Sequence, residues 1–196
     1  MTRTCAEQLS DMNLFLEHNP GEVITLFAES AVTPAELATT FATAGLLPYL
    51  YVHDFARGWP TLSEMAQHNT RLVVFNDSQD KSRPAWQHYL YDLIVDTDYN
   101  ITDITQFRCA FYRGRPENSL YFINQFIYAA FGNKVLFPDP KLAQKANEPA
   151  FVSGRAQQCW TETQRIPNFI YVDWFEKGDV MAAVRALNRL PRQVPH

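Results

Sequence analysis

The chain has 196 residues, 46% apolar and 19% charged, enough for one globular domain with a sizeable core. Its net charge of −4 argues against nucleic acid as a partner, because phosphate binding needs a basic field. No apolar run reaches the roughly 20 residues that a bilayer-spanning helix requires, and aromatics at 14% point to a ring-rich core or pocket.

The first segment, "MTRTCAEQLSDMNLFLEHNPG", predicts an amphipathic helix with Leu9, Met12, Phe15 and Leu16 on its stripe, stopped by Pro20-Gly21. It lacks the apolar core of a signal peptide, so the chain is expected to begin inside structure. "EVITLFAE" (22–29) then reads as a strand. Thr33, Pro34 and Glu36 open a helix that Gly45 stops. "LPYLYV" (47–52) reads as a short strand before His53-Asp54. Thr61 and Glu64 form a capping box for the helix "TLSEMAQHN".

Further strands are expected at "RLVVFND" (71–77), "DLIVDT" (92–97), "SLYFINQF" (119–126) and "NFIYVDWF" (168–175). "SGRAQQCWTETQR" and "GDVMAAVRALNRL" read as helices, the second opened by Asp179. A Pro- and Asn-containing connection follows "SLYFINQF". The strands are continuous apolar runs alternating with helices, which implies an α/β fold whose parallel sheet is covered by helices. No linker, repeat or low-complexity segment divides the chain, so a single domain over residues 1–196 is expected.

Glu29, Asp54, Asp77, Asn124 and Asp173 recur at the C-terminal ends of these strands. Taken singly, each is accounted for as a helix cap or loop carboxylate. In a parallel sheet all those ends share one face, where ligand and catalytic groups collect. Asp173 is therefore expected at a shared site. Cys5, Cys109 and Cys159 have no metal-ligand spacing. Spacing leaves open whether Cys109 and Cys159 are bridged or all three thiols are free. No G-x-S-x-G elbow, P-loop, G-x-G-x-x-G or H-E-x-x-H occurs, so nothing supports an unrelated α/β hydrolase.

Four phrases in order, "FLEHNPGEVITLFAE", "WPTLSEMAQHNTRLVVFND", "CAFYRGRPENSLYFINQF" and "IPNFIYVDWFEKGDVMAAVRALN", resemble the phosphatidylinositol-specific phospholipase C-like phosphodiesterases, in their metal-independent microbial and plant branch. The resemblance implies a distorted TIM barrel that cleaves phosphodiesters of inositol phospholipids without metal or cofactor. Two histidines serve as general base and acid, and an arginine and carboxylates support them. A histidine near neutral pKa can take a proton from a hydroxyl and return one to the leaving alkoxide.

The resemblance begins at about the third barrel strand. About six strands are found where a (β/α)₈ barrel has eight, so an incomplete barrel lacking its first two βα units is expected. Both catalytic histidines belong to those units, which leaves no catalytic residue assigned in this chain. Of the five histidines, His18, His68, His88 and His196 read as structural or surface residues. Only His53 falls on the expected face.

By resemblance, Glu29, Asp77, Asn124 and Asp173 are strand-end groups near substrate. Asn124 is followed by Gln125, where the family often has histidine. Arg113 could face phosphate or order its loop. An inositol phospholipid or related phosphodiester is the implied partner, with peripheral membrane contact and secretion as family traits. A partner or second copy is expected to cover the open sheet edges. The expected function is a phosphoric diester hydrolase inactive as residues 1–196. The alternative is a non-catalytic module that binds an inositol phosphate headgroup or is completed by a partner.

Overall fold

The computed structural model describes residues 4–29, 31–131 and 135–190. It is an α/β structure with parallel sheets, and it divides into two compact units, Met1–Asp92 and Leu93–His196.

The first unit opens with α1 (Cys5–His18), capped by reciprocal hydrogen bonds between Thr4 and Glu7. Leu9 and Leu16 are buried and Met12 packs beside them, but Phe15 is exposed, so the helix buries a narrower stripe than expected. β1 (Ile24–Ala28) follows, then α2 (Pro34–Thr43), opened by Thr33, Glu36 and Pro34 as the sequence indicated. α3 (Leu62–Gln67) carries the Thr61–Glu64 box. β2 (Leu72–Asn76) is buried along its whole length and runs parallel to β1, with Ile24 opposite Leu72 and Ala28 opposite Asn76. Leu9, Leu16, Leu37, Phe41, Leu46, Leu72 and Val74 form the core. Buried Arg71 donates to the carbonyls of Leu16, Asn19 and Glu22, satisfying the open end of α1.

Two expectations fail in this unit. "LPYLYV" is not a strand: Leu47–Tyr49 forms a 3₁₀ turn, and only Leu50 bridges Leu72, with Tyr51 N–H donating to the Leu72 carbonyl at 2.9 Å. Pro48 has no N–H for a ladder and its fixed φ suits the turn. A strand that the apolar pattern does not announce, β3 (Gln87–Tyr89), instead pairs with Val74–Asn76. The short helix α4 (Leu90–Leu93) follows it.

The second unit is built on β4 (Ile94–Asp96), β5 (Leu120–Asn124) and, near the C-terminus, β8 (Phe169–Tyr171), all parallel in the order β4-β5-β8. The connection after β5 contains more than a loop. β6 (Tyr128–Phe131) and β7 (Val135–Pro138) form an antiparallel hairpin, and α5 (Pro140–Ala146) is capped by Asp139. α6 (Pro149–Thr163) starts earlier than expected because Pro149 is suited to a first helical turn. α7 (Val180–Leu187) is capped by Asp179.

Strand pairing among the described residues gives two separate three-stranded parallel sheets rather than one six-stranded sheet, and no closed barrel. A disulfide joins Cys109 to Cys159, with Cα atoms 4.9 Å apart and a sequence separation of 50. Both cysteines are buried in the cluster of Val95, Tyr121, Ile123 and Ala156. Closing such a loop removes unfolded-state entropy worth about 4 kcal/mol. Cys109→Ser/Cys159→Ser is therefore expected to lower unfolding free energy by about that amount in urea titrations. The free thiol Cys5 is exposed, and Cys5→Ser is expected to leave the midpoint unchanged.

Candidate functional site

Because each sheet is parallel, its strand ends place their following residues on one edge. In the first unit Glu29 and Asp77 directly follow the paired residues Ala28 and Asn76. Glu29 is exposed. Asp77 is half-buried, its N–H donates to the Ala28 carbonyl at 3.3 Å, and its Oδ1 is buried with no hydrogen-bond partner. Asn76 Nδ2 beside it is likewise buried and unpaired. Asp54, expected on the same rim, follows no strand. It is exposed, accepts from the Ala56 N–H at 2.9 Å and faces Arg57 at 3.6 Å, which is a loop-closing role.

The structure brings two histidines together here. His53 N–H donates to His88 Nε2 at 3.0 Å, and His88 Nδ1 lies 3.0 Å from the Val74 carbonyl. Nε2 must accept, so Nδ1 must carry the proton and donate. Buried His88 is thereby fixed as one neutral tautomer, and burial also lowers its pKa. It has no nitrogen left for proton transfer. His53 is half-buried, with Nδ1 3.1 Å from the Tyr51 hydroxyl and its ring stacked 4.3 Å from Trp59. Desolvation lowers its pKa against an opposing pull from Asp54, keeping it neutral near pH 7. Its Nε2 is uncommitted. The pairing was illegible in the sequence because it depends on β3, which the pattern around "WQHYLY" did not reveal. His18 and His68 bond the helix carbonyls of Leu14 and Glu64, and His196 lies outside the described residues.

In the second unit Asp96 ends β4, Asn124 ends β5 and Asp173 follows β8. Asp96 is buried and paired with Arg113. Arg113 Nε donates to Oδ2 at 2.9 Å, its Nη2 also bonds Oδ2, and its backbone N–H donates to Oδ1 at 3.0 Å. The guanidinium stacks 4.2 Å over Tyr99. Gly114, at φ +82°, lets this segment approach β4, since a Cβ there would overlap the Ile94 carbonyl. Arg113 thus orders its loop through Asp96 while remaining partly exposed. Asn124 Nδ2 donates to the Thr97 carbonyl at 2.6 Å and reaches Asp96 Oδ2 at 3.4 Å.

Behind these strand ends lies Arg155 of α6, only 4% exposed. It donates to the carbonyls of Asn124 and Arg108, to Gln125 Oε1 and to Thr97 Oγ1, with its guanidinium 4.2 Å over Phe107. No carboxylate pairs with it among the described residues, and burial lowers its pKa to about 10. Asp96 was passed over in the sequence, although the strand-end rule applied to "DLIVDT" points to it. Arg155 was not legible, because it sits mid-helix among polar residues.

Arg155 Nε is buried without a partner, and Asp173 differs from Asp96 and Asn124 in the same way. It is half-buried, and its Oδ2 is buried without a hydrogen-bond partner. Desolvation raises its pKa. The loop that carries it turns through Trp174 at φ +46° and leaves Phe175 78% exposed. A carboxyl with a buried unpaired oxygen is arranged to receive a donor.

That arrangement costs stability in a pH-dependent way. A folded pKa above the unfolded value means the fold favours the protonated acid. The favourable contribution is complete below the unfolded pKa and disappears as pH rises through the folded pKa. Asp173→Asn is therefore expected to melt higher than the parent at pH 7, with the difference vanishing at about pH 3, where the parent carboxyl is protonated in both states. Scanning calorimetry across that range measures it.

A family model described as PI-PLC X matches residues 3–188. The chain is 28% identical to PI-PLC X domain-containing protein 1 of Arthroderma benhamiae, over 93% of this chain and 64% of that relative. It is 27% identical to a PI-PLC X domain-containing protein of Arabidopsis thaliana, over 93% of this chain and 43% of the relative. A protein of Arthroderma benhamiae named as an uncharacterized secreted protein is 26% identical, over 87% and 42%. The chain thus spans between 42% and 64% of the length of these relatives. No solved structure matches.

Proposed function

The chain belongs to the PI-PLC X family, and from that premise we propose that it is the later part of a metal-independent phosphodiesterase acting on inositol phospholipids or related phosphodiesters. The observation that carries this reading is Asp173: a strand-end carboxyl, half-buried, with one oxygen unpaired and its pKa raised. Such a group is suited to hold and orient the protonated ring of a general base. We assign that base, and the general acid, to histidines outside residues 1–196. Among the described histidines, His18 and His68 bond helix carbonyls, His88 is locked, and His53, which follows no strand, keeps one ring nitrogen uncommitted; one histidine cannot serve as both base and acid at opposite sides of a phosphoryl group.

On this reading the parallel sheets are the later strands of a TIM-type barrel whose first two βα units lie outside the chain. On the second sheet's rim, Arg113, partly exposed while paired with Asp96, supplies the phosphate contact. An arginine fork neutralises charge on phosphoryl oxygens as it develops. Secretion fits the buried Cys109–Cys159 bridge, which is stable in an oxidising compartment. A second reading, a non-catalytic headgroup-binding module, is favoured by the locked tautomer of His88.

The experiment combines intact mass with turnover. Protein from its natural source is expected to exceed 22.6 kDa and to cleave phosphatidylinositol in vesicles, with Asp173→Ala lowering kcat about 100-fold or more. Residues 1–196 alone are expected to show no turnover. Robust cleavage by residues 1–196 that His53→Ala abolishes would overturn the assignment of the histidines elsewhere. A native mass of 22.6 kDa with headgroup binding and no cleavage would establish the second reading.

A further inference from the structure

We propose that Asn147 is a positioning residue that holds Asp173 at the site, an inference that rests on the reading of Asp173 as a site carboxylate. Asn147 follows α5 as its C-terminal cap and is fully buried. Its side-chain Nδ2 donates to two consecutive carbonyls, that of Asp173 at 2.9 Å and that of Trp174 at 3.2 Å. These are the two residues at which the chain leaves β8 and turns through the left-handed conformation of Trp174. A non-glycine residue held there costs about 1 kcal/mol or more and persists only where its surroundings impose it. The Asn147 amide is the imposing contact.

The same loop is closed from its other end. Lys177 N–H donates to the Trp174 carbonyl at 2.8 Å, so that carbonyl is held twice. Gly178, at φ +73°, then lies directly against Asn147. A Cβ at Gly178 would come within 2.5 Å of the Asn147 carbonyl oxygen and 2.9 Å of its Cβ, so only glycine fits. Asn147 is therefore the post around which residues 173–178 bend.

The post itself is anchored. Asn147 N–H donates to the Ala143 carbonyl at 2.9 Å, continuing α5, and the next residue but one begins α6. Gln125, directly after β5, donates its Nε2 to the Ala146 carbonyl at 2.8 Å, and its own N–H donates to the Tyr171 carbonyl at 2.7 Å. The post is thus fixed to the strand ends that carry Asn124 and Asp173. Without the Asn147 amide, the Asp173 carbonyl loses its donor and the Trp174 carbonyl keeps only the Lys177 N–H, so the left-handed turn at Trp174 is held from one side alone. Asp173 then swings toward water.

The test reads Asp173 directly and needs no substrate. In residues 1–196, ¹³C carboxyl NMR difference titration against Asp173→Asn assigns the Asp173 titration. Asn147→Ala is expected to move it down, toward an ordinary aspartate. Val74→Ala, a buried change in the core of the first unit, which holds no residue of α5 or of 171–178, is expected to destabilise the protein and leave the titration where it is. An unshifted titration in folded Asn147→Ala, or an equal shift in Val74→Ala, overturns the proposal. Should Asn147→Ala not fold, the unaltered protein decides: slow solvent exchange of the Asn147 side-chain amide protons is expected, and exchange at the rate of an exposed asparagine overturns the clamp. Failure of the phosphodiesterase reading appears separately, as absent turnover by the complete protein, with the titration shift still scoring the clamp.

Discussion

The Arg155 guanidinium is the constraint on which the second unit depends. Burying a cation without a counter-ion is costly, and the cost is tolerable only when dipoles replace the lost water. Here three backbone or amide oxygens, one hydroxyl and the Phe107 ring do so. Those acceptors come from the ends of β4 and β5 and from the segment leading into Cys109. Each must stay in place or the charge is stranded. The rim of the sheet is consequently rigid where Asn124 and the Asp96–Arg113 pair are mounted.

One turn farther along the same helix, Cys159 is bonded to Cys109, next to the Arg108 carbonyl that Arg155 holds. The helix therefore grips one segment twice, once covalently and once through a charge. This double attachment also brings Phe111–Arg113 alongside β4, where Thr97 bridges Phe111 and Asp96 exchanges backbone hydrogen bonds with Tyr112 and Arg113. An edge of the β4 strand that the sequence left open is thereby occupied by the chain itself. The Arg113 fork reaches Asp96 because of it.

On the rim of the second unit, Asp173 is a carboxylate left with a buried unpaired oxygen. Satisfied polar groups on the rim consume their own hydrogen-bonding capacity: Asp96 in Arg113, Asn124 in Thr97. Asp173 keeps an oxygen in reserve and bears a desolvation cost for doing so. Sites commonly carry such locally unfavourable groups, maintained by structure around them. The first unit shows the opposite behaviour at His88, where every ring nitrogen is committed and chemistry is closed off.

The sequence by itself determined the α/β class, five of the strand segments, the capped helices and the family. These follow from local physics: continuous apolar runs for buried parallel strands, Thr-x-x-Glu boxes, and proline or glycine at helix ends. Strand-end residues such as Glu29, Asp77, Asn124 and Asp173 were legible for the same reason, since position at a strand end is a local property. Tertiary structure decided what those residues face. It replaced the "LPYLYV" strand by a turn with β3 beside it, because Pro48 cannot join a ladder. It formed the β6–β7 hairpin and the Cys109–Cys159 bridge, and it set the His53–His88 and Asp96–Arg113 pairs. It also supplied Arg155 and Asn147, whose roles rest on contacts with residues tens of positions away. No periodicity encodes such contacts, because which carbonyls a buried side chain meets is fixed only when the helices dock on the sheet.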